Sequence, residues 1–419
     1  MNSWRKTFHA AWAAQFLAML GFSFTLPFLP FFITQDLGIP EGPETARWSG
    51  ILLAAVGLPM AVFAPIWGSL SDRYGRKMMV MRSMYGGAVV IALMGLAGNV
   101  YHLMALRIAQ GVLTGTISAS LALVASVTPR ERSGYTLGMM QAAVFAGTSI
   151  GPFLGGWAAY HFGFRMSFIC AGLMLLAGAM LVQFRTEEHF EPPAKEESHI
   201  GSYRALFGIP GFLAVIFALF ILHFASTAPG PVFPLLVKKL SKTDIKQATA
   251  ITGNIASVVG IIASIFTWYF GRISDQWGHR RMLLAAAMLG GIFSFPVAFA
   301  RNMTELYLLR ILFGIAAAGM LPSLNCILRD ITPQENIGKA FGITASVAGL
   351  AFFGGALSGG YLSAAAEDYQ IPFITSYGAP FILSGILLLV VSLIVMLRVP
   401  RDRMPPGPPR LALPPAAET

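Results

Sequence analysis

The sequence has few charged residues. Only 11% of its 419 residues are Asp, Glu, Lys or Arg, whereas a soluble domain carries about 25%. Apolar residues make up 55% of the chain. This composition excludes a secreted enzyme, a disordered regulator and a soluble nucleic-acid-binding protein. Lys and Arg outnumber Asp and Glu by 29 to 19, and their placement indicates an anionic membrane surface rather than nucleic acid as the partner.

Cysteine is nearly absent, and signatures of catalysis are missing. Cys170 and Cys326 both lie in apolar runs, so we expect packing residues and no disulfide framework. The sequence has no Walker A phosphate loop, no Cys or His pair at metal-ligand spacing and no Gly-x-Ser-x-Gly turn. We therefore expect neither an enzyme nor an ATP-driven pump, and no cofactor or metal site.

Long apolar runs fill most of the chain. A membrane-spanning helix needs about 20 apolar residues, and twelve such runs predict an all-α membrane protein with twelve transmembrane helices. The first run exceeds the apolar core of a signal peptide and has no cleavage site. The runs cover about 8–33, 48–70, 78–98, 101–126, 134–160, 165–184, 209–237, 248–271, 281–300, 303–328, 339–364 and 374–397.

The runs form two sets of six. We expect an N-terminal six-helix bundle over 1–184, a cytoplasmic linker over 185–208, a C-terminal six-helix bundle over 209–398 and a disordered cytoplasmic tail over 399–419. If the N-terminus is inside, 20 of the 29 Lys and Arg residues fall in inside segments, 7 in outside loops and 2 within helices. The positive-inside rule then places both termini in the cytoplasm. The cluster Lys238–Lys246 opposes this orientation.

The chain repeats itself at a spacing of 203 or 204 residues. A duplication of this kind predicts two pseudo-symmetric halves, with a binding site near the membrane midplane that the halves open alternately. The matching pairs are Pro27 and Pro231, Pro30 and Pro234, Gly68 and Gly271, Asp72 and Asp275, Gly75 and Gly278, Arg107 and Arg310, and Gly111 and Gly314.

Three motifs carry a resemblance to a known family. The segment Gly68-Ser-Leu-Ser-Asp72-Arg73-Tyr-Gly75-Arg76-Lys77 resembles the loop 2–3 signature of the major facilitator superfamily, and residues 271–281 repeat it. The segment from Leu20-Gly21 to Pro27-x-x-Pro30 is similar to the helix-1 motif of its 12-helix drug:proton antiporters. Their helix-5 antiporter motif is resembled by Gly147, Gly151, Pro152, Gly155 and Gly156.

The resemblance implies the major facilitator fold and a proton-coupled exporter of hydrophobic or amphipathic drugs. It implies alternating access, and we expect a monomer in a bacterial inner membrane, with small molecules, protons and lipid as partners and no nucleic acid. Two other functions stay open. The chain could transport a specific metabolite, such as a sugar or an organic anion, which Arg107 and Arg310 without acids in the cavity would suit. It could also be a membrane sensor that no longer transports.

The resemblance also implies roles for single residues near the loop 2–3 signature. A carboxylate there joins a charge network that latches the two halves at the cytoplasmic face, although the arginines could merely set the topology. The gating set is Gly68, Asp72, Arg73, Gly75, Arg76 and Asp275. In helix 5 the glycine stripe would let a neighbouring helix pack closely, and Pro152 would bend the helix.

No acidic residue lies near the middle of an apolar run, so the proton carrier stays open. An Arg inside a spanning helix is costly unless it faces protein or water, and a His titrates near neutral pH. The candidates for proton or substrate coupling are Arg107, Asp36, His223 and Arg310. The predicted substrate cavity is mostly apolar with sparse polar groups, and its candidates are Gln15, Met19, Phe22, Gln110, Gln141, Phe145, Phe220, Asn254 and Asn325.

Overall fold

The structure is a computed structural model that describes residues 3–113, 115–129, 132–188, 206–333, 336–369 and 376–399. These residues form helices and connecting turns, with no β-strand among them. Most of the predicted linker (189–205) and nearly all of the predicted tail (400–419) lie outside them. The first eight helices, here called the N lobe, are α1 Ser3–Phe24, α2 Leu29–Gln35, α3 Pro43–Tyr74, α4 Arg76–Met94, α5 Val100–Leu113, α6 Thr116–Val127, α7 Ser133–Phe162 and α8 Phe164–Arg185.

Eight more helices and two short 3₁₀ turns form the C lobe. The 3₁₀ turns cover Phe295–Phe299 and Ser376–Gly378. The helices are α9 Phe212–Thr227, α10 Phe233–Ser241, α11 Ile245–Trp277, α12 His279–Ser294, α13 Met303–Ala317, α14 Met320–Ile331, α15 Ile337–Asp368 and α16 Ala379–Arg398.

Several predicted spans are broken helices. The run predicted at 8–33 consists of α1 and α2, which meet at an angle of 46°, and the run at 209–237 consists of α9 and α10. A proline occupies the first turn of both α2 and α10. Proline is compatible with a helix start but not with its interior, because it lacks an N–H and clashes with the preceding turn. The breaks are therefore encoded by the prolines that recur in both halves.

Nine stretches of described helix are long and apolar enough to cross a membrane, and ten if the bent pair α1–α2 is counted. One of these stretches, Ser133–Arg185, contains both α7 and α8. Gly163, with φ +80°, separates these two helices. Helix α9 is also apolar but has only 16 residues. The chain is thus an all-α, multi-pass membrane protein, and the exact number of twelve spans stays a prediction.

The lobes have parallel internal packing. In the N lobe, α1 packs against α7 and α8, and α4 packs against α8; in the C lobe, α9 packs against α15 and α16, and α12 packs against α16. A Cβ atom built on Gly155 would lie 1.8 Å from the Phe24 carbonyl oxygen, and one on Gly359 would lie 1.8 Å from that of Ala228. Gly359 follows Gly155 by 204 residues, and Ala228 follows Phe24 by 204 residues. The repeat in the sequence is therefore also a repeat of close helix crossings.

Candidate functional site

The two ends of the bundle differ in how the lobes meet. We call the end that bears Gly75 and Gly278 the Gly75 face, and the end that bears Glu41, Lys238 and Asp368 the Glu41 face. Between the lobes, α3 packs against α15 and α7 packs against α11. Any site between the lobes is therefore lined by these four helices and by the helices next to them.

At the Glu41 face the lobes are in direct contact. A Cβ atom on Gly50 of α3 would lie 2.9 Å from the Ala356 carbonyl oxygen of α15. On the other side of the bundle, a Cβ atom on Gly253 of α11 would lie 2.2 Å from the Pro152 carbonyl oxygen of α7. Backbones can approach this closely only where a side chain is missing. The backbones of the two lobes are therefore in close contact at both helix pairs.

At the Gly75 face the same helices have separated. The glycines there are Gly68 on α3, Gly138 on α7, Gly271 on α11 and Gly342 on α15. A Cβ atom on any of them would meet no atom of the described residues within 4 Å, beyond the backbone of its own helix. Among the described residues, the lobes are therefore in contact at the Glu41 face and apart at these four glycines of the Gly75 face.

Two ion pairs join the lobes at the Glu41 face. Lys238 Nζ donates to both carboxylate oxygens of Glu41, at 2.7 and 2.8 Å, and Arg47 pairs with Asp368. The partners lie 197 and 321 positions apart in the chain. Sequence analysis did not predict these ion pairs. The only signal for them was that Lys238 belongs to the Lys238–Lys246 cluster, which opposes the positive-inside rule.

A neutral hydroxyl lies beside these pairs. Burial, and secondarily the nearby carboxylates of Glu367 and Glu41, raise the pKa of Tyr377 to about 12. Its ring also lies 5.8 Å from Lys239 Nζ. Because Tyr377 stays protonated at physiological pH, the charge at this face is set by the lysines, arginines and carboxylates.

The helix-5 motif lies on α7 and contacts both lobes. Gly147 and Gly155 pack against α1, where added Cβ atoms would lie 2.6 Å from Met19 Cβ and 1.8 Å from the Phe24 oxygen. On the side of α7 that faces α11, the Phe153 N–H donates to Ser257 Oγ at 3.0 Å.

Two further positions of the motif complete this arrangement. A Cβ atom on Gly151 would lie 2.7 Å from the Leu20 carbonyl oxygen of α1, and one on Gly156 would lie 2.8 Å from the Thr249 carbonyl oxygen of α11. The motif therefore joins α1 to α7 within the N lobe and also forms part of the contact with the C lobe.

Those predicted gating residues that the structure describes make no hydrogen bond or ion pair across the lobes. The side chain of Asp72 is outside what the structure describes. Arg73 is exposed, and Asp275 makes no hydrogen bond or ion pair with any residue that the structure describes. Gly75, at φ +97°, ends α3 and begins α4. Their role as a latch between the lobes stays a prediction.

A carboxylate that sequence analysis missed lies at the start of α4. Glu188 accepts hydrogen bonds from the backbone N–H groups of Arg76 and Lys77, at 2.9 and 2.8 Å. A carboxylate at a helix N-terminus satisfies free donors and complements the helix dipole. Glu188 thus ties the beginning of the linker to the loop 2–3 signature.

The coupling candidates lie in different surroundings. Asp36 accepts from Arg165 Nε at 2.9 Å, an ion pair that holds α2 to α8. Arg107 is only 4% exposed, and its Nη1 donates to Gln110 Oε1 at 3.2 Å. His223 is half-buried in α9, and its ring makes no hydrogen bond with any described residue. Their role in proton or substrate coupling stays a prediction.

Arg310 lies beside a cavity between the lobes. Its guanidinium carbon lies 5.0 Å from the ring centre of Phe233, 5.1 Å from that of Phe313 and 5.8 Å from that of Phe381. The cavity has a volume of about 300 Å³. It is lined from the N lobe by α2, α3, α7 and the turn between α1 and α2, and from the C lobe by α9–α11, α13 and α15.

The nine predicted cavity residues do not line this cavity. Gln15, Met19 and Gln110 are buried, Gln141 is exposed, and Phe22, Phe145, Phe220, Asn254 and Asn325 are half-buried. Asn254 accepts a hydrogen bond from the Tyr307 hydroxyl at 3.1 Å. Their assignment to a substrate cavity stays a prediction.

Comparison with known proteins gives consistent matches. A family model described as Major Facilitator Superfamily matches residues 11–267 and 215–416. The chain is 32% identical over 373 residues to a multi-drug resistance efflux pump PmrA homolog of Lactococcus lactis, covering 86% of this chain and 90% of that protein. It is also 32% identical over 364 residues to multidrug resistance protein MdtG of Yersinia enterocolitica, covering 86% and 87%.

Solved structures show the same fold. A bacterial homolog of the human lysosomal transporter Spinster, in an inward-facing and occupied conformation, superposes with a TM-score of 0.78 over 95% of this chain and 97% of that one. A D-xylose–proton symporter superposes with a TM-score of 0.75 over 94% and 98%. The sequence identities are 12% and 16%, so these matches establish the architecture alone.

Proposed function

The chain belongs to the major facilitator superfamily and is a transporter, not an enzyme, and we propose that it exports hydrophobic or amphipathic drugs by alternating access. The observation that carries this proposal is the asymmetry of the lobes, which touch at the Glu41 face and are apart at the Gly75 face. Rocking of two repeats about a shared site is the mechanism that such a duplication supports.

The proposed direction of transport depends on orientation. The excess of Lys and Arg supports a cytoplasmic Gly75 face, with both termini inside a bacterial inner membrane. In that orientation the present conformation loads substrate from the cytoplasm. Proton entry is the proposed energy source, since one charge gains about 2.3 kcal/mol per 100 mV across the membrane. We propose that a monomer is sufficient, because each lobe supplies one wall of the site.

Flux in everted membrane vesicles tests this proposal. We expect fluorescent hydrophobic or amphipathic dyes to be moved into vesicles that contain the protein. This movement should stop when a protonophore collapses the proton gradient. Vesicles without the chain are the control. Binding of dye without its movement across the membrane would instead indicate a sensor. Dye movement that does not depend on the pH gradient would indicate a facilitative transporter.

Breaking the Glu41–Lys238 ion pair should open the Glu41 face more often. An exposed ion pair contributes about 0–1 kcal/mol, so Lys238→Glu is expected to raise the rate of opening about two- to fivefold. The measurement is labelling of a single cysteine at Thr252, which lines the cavity, by a membrane-impermeant maleimide from that side, with Cys170 and Cys326 replaced by alanine.

The matched control is the exchanged pair, Lys238→Glu with Glu41→Lys. Because it restores opposite charges at the same positions, it should return labelling to the wild-type rate. If the exchanged pair labels as fast as Lys238→Glu alone, the ion pair does not hold this face closed.

Removing the carboxylate of Asp72 should impair transport. We expect Asp72→Asn to lower dye flux at least about tenfold, the usual effect of losing one or two charge-assisted hydrogen bonds, while the amount of protein in the membrane stays the same. Asp275→Asn is the matched change in the second copy and should have a smaller effect, because Gln276 replaces the first arginine there. Wild-type flux in Asp72→Asn would contradict the gating role.

A further inference from the structure

Arg310 is a cation without a counter-ion in the part of the chain that the structure describes. Among the residues that the structure describes, its guanidinium has no hydrogen bond and no ion pair, and its Nε is buried without a partner. The segment 370–375, which lies outside the described residues, reads Gln-Ile-Pro-Phe-Ile-Thr and contains no acidic residue. The three phenylalanine rings attract the guanidinium. This attraction offsets only part of the cost of an unpaired charge on a half-buried side chain.

Besides Arg310, the described residues that line the cavity are apolar or bear hydroxyl groups, and none of them is a carboxylate. Its lining includes Leu53 and Phe352 together with several prolines of the broken spans. The hydroxyls of Thr227 and Thr252 donate to carbonyl oxygens of their own helices. A cationic compound would be repelled from this cavity by Arg310, with no acid to compensate.

A second free donor lines the cavity from the N lobe. Ser49 of α3 is completely buried, and its Oγ has no hydrogen-bond partner among the described residues. An unpaired buried hydroxyl is costly. Ser49 and Arg310 lie on different lobes and line the same cavity, so a ligand in the cavity would contact donors of both lobes.

We propose that this cavity is a binding site for amphipathic organic anions, with the anionic group on Arg310 and Ser49 and the apolar body against Leu53, Phe352 and the prolines. This inference rests on the proposed transport function and names its substrate class. An anion held by both lobes links them, so its binding and release accompany the change between the two open states.

The test uses three naphthalene compounds of matched size and different charge. They are naphthalene-1-sulfonate, its neutral sulfonamide and the 1-naphthyltrimethylammonium cation. We expect the protein in lipid nanodiscs to bind the sulfonate about tenfold or more tightly than the other two, measured by calorimetry. Arg310→Gln should weaken sulfonate binding about 10- to 100-fold, which corresponds to losing a hydrogen bond to a charged group, and leave sulfonamide binding unchanged.

Three further variants sharpen the result. Arg310→Lys should keep part of the preference for the sulfonate, Ser49→Ala should weaken sulfonate binding several-fold, and Arg301→Gln, the same change at an exposed position, should have no effect. Equal sulfonate binding by wild type and Arg310→Gln, or a preference of wild type for the cation, would overturn the proposal.

Transport of the same compounds separates this inference from the function on which it rests. If the sulfonamide is exported normally but the site shows no preference for the sulfonate, the proposed anion site is wrong and the proposed export function is supported. If the sulfonate binds through Arg310 but no compound is moved, export is wrong and the anion site stands.

Discussion

Replacing Gly155 with alanine is expected to destabilise the N lobe more than a comparable change elsewhere on α7. The added Cβ atom would lie 1.8 Å from the Phe24 carbonyl oxygen, which is backbone and cannot move away as a flexible side chain could. Helices α1 and α7 would have to separate. Overpacking of this kind costs about 1–3 kcal/mol, so we expect thermal unfolding several degrees lower and less protein in the membrane.

Gly138→Ala is the matched control on the same helix. Its Cβ atom would meet no atom of the described residues within 4 Å outside the helix backbone. Alanine also favours a helix by about 1 kcal/mol relative to glycine. We therefore expect unchanged or higher thermal stability for Gly138→Ala. If both variants unfold at the same temperature as wild type, α1 and α7 do not pack as described.

The second copy allows an independent check. Gly359→Ala places a Cβ atom 1.8 Å from the Ala228 carbonyl oxygen, which is the same contact 204 residues later. A similar loss of stability in the C lobe is expected, because the two lobes use the same helix crossing. If only one of Gly155→Ala and Gly359→Ala lowers the thermal stability, the two copies of the repeat do not contribute equally to packing.

This repeat shows how far the sequence determines the fold. The long apolar runs predict most helices correctly, because lipid exposure requires a continuous apolar surface. The same runs hide the breaks, since the run at 8–33 stays apolar through Pro27 while the helix ends at Phe24. The prolines were visible, but their effect depends on where each lies within a span.

The candidate site was less predictable for a different reason. Glu41 and Lys238, or Arg47 and Asp368, are ordinary charged residues near loop ends, and only the approach of the two lobes pairs them. Arg310 was identified because a charge inside an apolar run is rare. Its cavity was not predicted, because the cavity walls come from several helices of both lobes. Local sequence patterns do not show which helices come together in this way.

Replacing Gly253 with valine should shift the conformation without unfolding the protein. A Cβ atom at this position would lie 2.2 Å from the Pro152 carbonyl oxygen, and this contact is between the lobes rather than within one. The lobes could then no longer close at the Glu41 face. Overpacking costs about 1–3 kcal/mol. The ratio of the present state to the state that is open at the Glu41 face should therefore fall about 5- to 150-fold.

Distances between spin labels at exposed positions measure this shift. One label pair, at Tyr101 and Arg301, reports on the Glu41 face, and another pair, at Tyr74 and Trp277, reports on the Gly75 face. In Gly253→Val the first distance should lengthen and the second should shorten. The thermal unfolding temperature should stay close to wild type, because the internal packing of each lobe is unchanged.

Gly271→Val provides the opposite test on the same helix. Gly271 lies at the open Gly75 face, where an added side chain meets nothing in the present state but would obstruct closure of that face. The Gly271→Val variant should therefore keep the Gly75 face open. Transport should stop because the protein cannot reach the state that is open at the Glu41 face. Opposite shifts from two glycines of α11 follow only if the lobes rock as rigid bodies about a shared site. Equal shifts in the same direction would mean that α11 bends locally and the lobes do not exchange between two open states.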